Sequence, residues 1–147
     1  SWASVDIISP AMFERFALPY QRHIVQAAHA AGLKVILHNS GNIVPLLELE
    51  AALGTDAFAF EQPRKGCELS VAMVRAAFGP RRCLFGNLDS EILLVRNDPR
   101  EIAAAVAEQL RQSGEGAPFI LCTGSALPDN VPLEAVDTMV RAASCLY

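Results

Sequence analysis

The chain has 147 residues, of which 52% are hydrophobic, and its formal net charge is −4. This length fits one domain with a sizeable buried core. The composition argues against nucleic-acid binding, because no basic run is present. It also argues against a membrane protein, because no apolar run is long enough to cross a bilayer and the first residues lack the pattern of a signal peptide.

The cysteines are spread along the chain and none forms a CxxC pair. They are Cys67, Cys83, Cys122 and Cys145. This spacing predicts reduced thiols in the cytoplasm rather than a disulfide framework. The chain begins at Ser1 and not at Met, which suggests a truncated reading frame or a processed product.

The first predicted element is a helix that begins at Ser9 and Pro10. Serine is a common N-cap residue, and proline is favoured at the first helical position. The helical pattern continues to Ala31 and ends at Gly32. Pro19 lies inside it, and we expect a break or kink there because proline lacks a backbone N–H.

Short apolar runs and helical stretches then alternate. The runs predict strands at residues 34–38, 57–61, 83–86 and 119–122. The intervening patterns predict helices at residues 43–53, 68–78, 98–112 and 133–145. Continuous apolar runs are typical of strands buried on both faces of a parallel sheet. The order, one helix and then four βα units, indicates an α/β fold with right-handed crossovers, either an open doubly wound sheet or half of a barrel.

A polar cluster follows each predicted strand, so the four clusters converge on the carboxyl edge of the sheet, where α/β proteins place their functional sites. His38 ends the first strand, where no helix cap needs an imidazole, and we interpret it as functional. Glu61 ends an apolar strand, which favours a raised pKa or an ion pair with an arginine. Arg64 and Lys65 could meet an anionic substrate, although a solvated loop explains them as well.

The other polar residues at this edge have two interpretations. They are Asn42, Asn87, Asp89, Thr123, Ser125 and Asn130. Residues of these types are ordinary turn and N-cap residues after a strand. They are also suitable hydrogen-bonding groups for a substrate, and their convergence favours that role for the first five.

Four segments, in order along nearly the whole chain, resemble the uroporphyrinogen decarboxylase superfamily. Residues 8–20 resemble the stretch that follows the middle of its barrel, and residues 37–42 (LHNSGN) resemble the LHxCGN segment of its corrinoid-dependent methyltransferase branch. Residues 85–89 contain the GNLD strand end of both branches, and residues 123–134 resemble the last strand and its PD…PE helix entry. The resemblance implies that residues 1–147 are a single segment, the carboxyl-terminal half of a (β/α)8 barrel, a fold of the TIM type that needs about 250 residues when complete.

The methyltransferase branch implies zinc bound by a His-x-Cys pair and a distant cysteine, since zinc prefers soft, deprotonated ligands. The matching positions here are His38, Ser40 and Ser125. Two serines make this a degenerate site, so we expect no metal. Cys122 lies three residues before Ser125, and we expect it to point elsewhere, into the barrel wall or core.

The decarboxylase branch implies acid–base removal of carboxylates from a tetrapyrrole, with no metal or organic cofactor. We therefore expect a decarboxylase-like lyase of porphyrin biosynthesis, with His38 and Glu61 as catalytic residues. Asn42, Asn87 and Asp89 would bind substrate, and Thr123 and Ser125 would hydrogen-bond its carboxylates. The decarboxylase histidine of the last strand corresponds to Ser125, and the decarboxylases normally lack a histidine at the position of His38, so the chain departs from this branch as well.

Two alternatives stay open. One is a methylcobamide:thiol methyltransferase-like protein, whose substrates would be corrinoids and thiols. The other is a non-catalytic binding module or decayed half barrel, although no Gly-rich phosphate loop follows any strand. A half barrel leaves sheet edges unpaired, so we expect either a homo-oligomer or pairing with the missing amino-terminal half. An isolated half would be inactive, whereas the full-length protein would be an enzyme.

Overall fold

The computed structural model describes residues 4–64 and 66–145. Its strands are β1 (Ile36–Asn39), β2 (Ala57–Phe60), β3 (Cys83–Phe85) and β4 (Phe119–Ile120). Its α-helices are α1 (Pro10–Met12), α2 (Leu18–Ala30), α3 (Leu47–Ala51), α4 (Val71–Phe78), α5 (Leu93–Arg96), α6 (Pro99–Ser113) and α7 (Leu133–Ser144). In this part of the chain no helix is both long enough and apolar enough to cross a membrane.

The four strands form one parallel sheet in the order β1-β2-β3-β4. Each strand pairs with the next one along the chain, and the order never reverses. A doubly wound sheet has a point at which the strand order reverses, whereas consecutive parallel strands with helical crossovers are the arrangement of a barrel wall. The predicted α/β fold and the preference for a barrel segment are confirmed.

The two faces of the sheet have different environments. Leu37, Phe58, Leu84 and Phe119 occupy one row across the sheet and pack with the helices in the main apolar core. The opposite face is open, and Ile120 on that side keeps 46% of its surface exposed. The expectation of strands buried on both faces therefore holds only on the helical side, because nothing in the described residues covers the other side.

The first helical stretch shows how Pro19 acts. The Oγ of Ser9 accepts a hydrogen bond from the Met12 amide, as predicted for an N-cap. The chain then widens into a π-helical turn, Phe13–Ala17, in which the Leu18 amide donates to the Phe13 carbonyl. Proline at position 19 has no N–H for the preceding turn, and the wider turn accommodates it. The predicted break is a π-turn between two helical segments rather than an interruption.

Helix boundaries differ from the predictions mainly at amino-terminal ends. The helix predicted from residue 43 starts as a 3₁₀ turn, Val44–Leu46, before α3. Helix α4 begins at Val71 rather than at residue 68, because Ser70 is its N-cap and accepts from the Met73 amide. The short helix α5 was not predicted from the sequence.

Arg75 joins the ends of two helices and the starts of two strands at the edge of the sheet opposite the polar clusters. Its guanidinium donates to the carbonyl oxygens of Ser113 (2.7 Å), Gly79 (3.0 Å), Arg82 (2.6 Å) and Pro118 (2.9 Å). These carbonyls belong to the ends of α4 and α6 and to the segments that enter β3 and β4. One planar donor group therefore satisfies four acceptors that would otherwise need separate partners.

Replacing Arg75 with alanine should lower the free energy of unfolding by about 2–4 kcal/mol, because charge-assisted hydrogen bonds to partly buried carbonyls are lost together. Arg75→Lys should recover only part of this loss, since an ammonium group cannot reach four separated acceptors. Urea denaturation measures the effect. The exposed Arg81 is the control, and an equal loss in Arg81→Ala would contradict this role.

Candidate functional site

Two adjoining cavities lie at the carboxyl edge of the sheet. The larger, of about 510 Å³, is lined in part by Asp6, His38, Ser40, Gly41, Glu61 and Arg64. The second, of about 410 Å³, is lined in part by His38, Glu61, Cys122, Thr123 and Ser125. His38 and Glu61 line both cavities. The parallel register thus brings four predicted site residues, from three strand ends, to one open surface.

His38 occupies the row of the sheet that also contains Ala59, Phe85 and Ile120, on the open face. Its surroundings lower the pKa of the imidazole, mainly by desolvation, while the charge of Glu61 acts in the opposite direction. A lowered pKa favours the neutral ring near pH 7, which can accept a proton. Sequence reasoning named this residue because an imidazole at a strand end has no capping role, and the structure places it at both cavities; its catalytic role stays a prediction.

Two carboxylates hold the loop that follows β1. The Gly41 amide donates to Glu61 Oε2 (2.8 Å), and the next amide, of Asn42, donates to Asp6 Oδ2 (2.6 Å). The Ser4 hydroxyl also donates to Asp6 Oδ2. The Asn42 amide, followed by the Ser4 hydroxyl, keeps the pKa of Asp6 below its ordinary value. We call this arrangement, two consecutive amides between Asp6 and Glu61, the carboxylate clamp.

Gly41 is required for the carboxylate clamp. Its φ of +81° lies in the region that favours glycine. A Cβ atom at this position would also lie 2.5 Å from Asp6 Oδ2. Asp6 was not predicted as a site residue, since an aspartate ahead of two isoleucines resembles any surface residue until the fold brings it to this loop.

The ion pair predicted as one possibility for Glu61 is present. Arg64 Nη2 donates to Glu61 Oε1 at 2.6 Å. Arg64 is held by a tight turn, in which its backbone exchanges two hydrogen bonds with Cys67 and Gly66 adopts a φ of +82°. Arg64 therefore borders the larger cavity with part of its guanidinium free for solvent. Lys65, named with it in the sequence, lies outside the described residues.

Three of the predicted substrate-binding residues hydrogen-bond to the protein itself. Asn87 is buried, and its Nδ2 donates to the carbonyls of Glu61 and Leu69 while its Oδ1 accepts from Gln109. The Asp89 carboxylate accepts the amides of residues 91 and 92. Asn42 Oδ1 accepts the amide of residue 44. Their contacts are those of turn and positioning residues, and substrate binding by them stays a prediction.

The segment after β4 completes the second cavity. Gly124 packs directly on the backbone of Gln62, where a Cβ atom would overlap the Gln62 nitrogen. This close approach fixes Thr123 and Ser125 beside the cavity. Cys122 also lines it, and its thiol lies 3.3 Å from the Thr123 carbonyl. The expectation that Cys122 points elsewhere was wrong, because the strand ends at Ile120 and the strict alternation of a strand no longer applies.

The residues present do not fit the zinc site of the methyltransferase branch. Zinc takes thiolate, imidazole or carboxylate ligands, whereas two of the three matching positions, Ser40 and Ser125, carry hydroxyl groups. Among the described residues, no group of three or more His, Cys, Asp or Glu side chains is arranged to hold a metal ion.

The family model for uroporphyrinogen decarboxylase matches residues 1–145. The chain belongs to the uroporphyrinogen decarboxylase family. This agrees with the resemblance carried by the four sequence segments.

Relatives in the family have two different names. The chain is 34% identical to a uroporphyrinogen decarboxylase of Chlorobium phaeovibrioides, over all of this chain and 41% of that protein. It is 29% identical to one of Dichelobacter nodosus, over 88% of this chain and 35% of that protein. It is also 28% identical to the methylcobamide:CoM methyltransferase MtbA of Methanosarcina mazei, over 96% and 39%. The chain therefore spans about 40% of the length of these relatives.

A solved structure has the same fold. A methyltransferase from Methanosarcina mazei superimposes with a TM-score of 0.80 and 28% sequence identity, covering 99% of this chain and 40% of the other. The four-stranded sheet is thus similar to part of a larger family structure.

Replacing Gly41 with alanine should break the carboxylate clamp. We expect the free energy of unfolding to fall by about 2–4 kcal/mol, from backbone strain and the lost hydrogen bonds of Asp6. The pKa of Asp6 should rise towards its ordinary value, as followed by NMR titration. Gly32→Ala is a matched control, because Gly32 has a similar φ of +74° but no atom near its Cβ position.

Gly32→Ala should cost only the strain of the left-handed backbone, about 1 kcal/mol, and should leave the pKa of Asp6 unchanged. An Asp6 pKa that stays low in Gly41→Ala would show that the clamp does not depend on this glycine.

Proposed function

We propose that the protein containing this chain is a decarboxylase that removes a carboxylate from a tetrapyrrole-type polycarboxylate by acid–base chemistry, as in porphyrin biosynthesis. The observation that carries the proposal is the shared position of His38 and Glu61 at both cavities, combined with serines where the methyltransferase branch has cysteines. All four cysteines are free thiols, which supports a reducing compartment, the cytoplasm.

The chemistry needs a proton donor and an acceptor at one surface. Protonation of a pyrrole ring creates an electron sink, and the bond between the arm methylene carbon and its carboxylate carbon then breaks. Carbon dioxide leaves, and the electron pair of that bond enters the ring. A proton added to the methylene carbon and the loss of the ring proton complete the reaction, which consumes one proton in total.

We assign proton transfer to His38, because its imidazole lies on the open face of the sheet and borders both cavities, and its lowered pKa favours a neutral ring that can accept a proton. The Glu61 carboxylate already accepts hydrogen bonds from the Gly41 amide and from Arg64. Its contribution is therefore to hold the loop after β1 and to keep a carboxylate charge near His38. To Thr123 and Ser125, which line the second cavity, we assign hydrogen bonds from their hydroxyl groups to a substrate carboxylate.

The test is the decarboxylation of uroporphyrinogen by the full-length protein. His38→Asn should lower kcat by about 10²–10⁴-fold, the usual contribution of a general acid–base group, with a smaller change in KM. His23, exposed on α2, gives the control variant His23→Asn, which should keep full activity. Unchanged turnover in His38→Asn would remove His38 from the mechanism, and a full-length wild-type protein without decarboxylase activity would overturn the proposed reaction.

A second candidate function is thiol methylation from a methylcobamide. The structural similarity to a methyltransferase favours it, as does the thiol-bearing residue Cys122 in the lining of the same cavity as His38. The full-length protein distinguishes the two candidates. One zinc per chain retained through dialysis, together with methylcobamide:thiol transfer, would favour this function over decarboxylation.

We further propose that the open side of the sheet is covered by the other strands and helices of a complete barrel. The relatives of this chain are about two and a half times longer than it is, which leaves enough residues for those elements. Exposed apolar residues in the first helical stretch support this. Met12, Phe16, Tyr20 and Ile24 recur every fourth residue and are 48–71% exposed. Such spacing places them along one stripe, and an exposed apolar stripe of this size normally has a partner.

Phe16→Ala should therefore have different effects in two contexts. In residues 1–147 alone the free energy of unfolding should change by less than about 0.5 kcal/mol, because the ring is exposed. In the full-length protein the loss should be about 2–4 kcal/mol, as for a buried phenylalanine. Gln26→Ala, an exposed change on the same helix, should be neutral in both. If Phe16→Ala instead weakens a dimer of residues 1–147, the stripe is covered by a second copy.

A further inference from the structure

Glu50 is a buried carboxyl group that is hydrogen-bonded to the end of β1, next to the candidate site. It lies in α3 and has no exposed surface. Its Oε1 accepts a hydrogen bond from Nδ2 of Asn39, at 2.5 Å, and Asn39 is also fully buried. Its Oε2 is buried and has no hydrogen-bond partner. A buried acid with a free oxygen is costly, so its presence requires an explanation.

Asn39 connects this acid to the rim of the cavities. It lies between His38 and Ser40 at the end of β1, and its Oδ1 accepts the Ser40 amide at 3.0 Å. The next amide, of Gly41, donates to Glu61 in the carboxylate clamp. Hydrogen bonds therefore connect Glu50 through the Asn39 side chain to the backbone of Ser40, and the Ser40–Gly41 peptide continues this connection to Glu61.

The environment of Glu50 favours its neutral form. Burial raises the pKa of Glu50 to about 7, and the hydrogen bond from Asn39 only partly opposes this. On α3 and in the segments just before and after it, Leu46, Leu47 and Leu53 are buried apolar side chains. Within residues 4–64 and 66–145 no charged side chain hydrogen-bonds to Glu50 or forms an ion pair with it. The titratable groups at the other end of the hydrogen-bond series are His38, Glu61 and Asp6.

We propose that Glu50 is a positioning residue, whose carboxyl group sets the position of residues 38–41 through the buried amide of Asn39. When Glu50 is neutral, its carbonyl oxygen holds Asn39 in the observed position. When Glu50 ionises, a second buried oxygen needs a donor, and the side-chain amide that already donates to Glu50 is the one that also holds the Ser40 backbone. Ionisation therefore moves the loop that borders His38 and is transmitted to the carboxylate clamp.

This inference rests on the proposed function only where it links the loop to catalysis by His38. The position of the loop itself can be measured without substrate. NMR of the ¹⁵N-labelled chain follows the amide signals of Ser40 and Gly41 and the side-chain amide of Asn39 between pH 5 and pH 9. The variants are Glu50→Gln, which keeps the acceptor and the size but cannot ionise, and Glu48→Gln, an exposed change on the same helix.

In the wild-type chain the three amide signals should shift together with a midpoint near pH 7. Glu50→Gln should abolish this shift while keeping the low-pH positions of the signals, and Glu48→Gln should retain it. Signals that titrate equally in Glu50→Gln, or that do not titrate in the wild type, would overturn the inference. A purely structural role of the carboxyl group would leave no such pH-dependent step.

Unfolding gives a second readout. Because the folded-state pKa of Glu50 is raised, its favourable contribution is complete at low pH and is lost as the pH rises through about 7. The urea midpoint of the wild type should therefore fall from pH 5 to pH 8 by more than that of Glu50→Gln. If Glu50→Gln fails to fold, Asn39→Ser, which shortens the connection, should uncouple the Ser40 and Gly41 signals from Glu50, and a retained shift would contradict the proposal.

The two proposals fail separately. If the amide signals behave as expected but the full-length protein does not decarboxylate uroporphyrinogen, Glu50 positions the loop for another reaction of the site. If decarboxylation occurs and the signals do not respond to Glu50, the proposed reaction stands and the positioning role falls.

Discussion

The parallel register of four consecutive strands is the constraint on which the candidate site depends. Pairing of Leu37 with Phe58 and of Phe58 with Leu84 places one apolar row against the helices. The same register turns His38 to the opposite face and brings the strand ends to one edge. A shift of one residue in β1 would exchange these faces, placing the imidazole in the core and Leu37 in the cavity. Burial of the apolar row therefore determines where His38 lies.

The loops at this edge are held in place because their backbone amide and carbonyl groups hydrogen-bond to side chains. Asp6 and Glu61 reach the loop after β1 from two different segments, and Asn87 joins the end of β2 to the segment before α4. Such preorganisation is valuable at a catalytic surface, where groups must keep their geometry while charge moves. It also explains why several polar residues near the site bond to the protein and leave only a few groups facing the cavity.

Much of the fold could be predicted from the sequence, because short apolar runs ending in polar residues and helices ending at glycine are local signals. His38 and Glu61 could be found for the same reason. Asp6 and Glu50 could not, because their roles arise from contacts across 36 and 11 residues of chain that no local pattern encodes. Asn87 was identified by position, but its buried contacts required the packing of α6 on the sheet. The open face was missed because an apolar strand looks the same whether its second face is covered by this segment or by another.

The open face of the sheet and the position of His38 have a common physical origin. The main apolar cluster lies between the sheet and the helices. Its packing therefore does not depend on what covers the other face of the sheet. That face contains His38 and borders both cavities, which means that whatever covers it also forms the second wall of the site. The relatives are much longer than this chain, and a complete barrel would supply such a wall without changing the strand ends described here. Desolvation of His38 would then increase and its pKa would fall further, so closure of the proposed barrel would make the protonated imidazole a stronger acid.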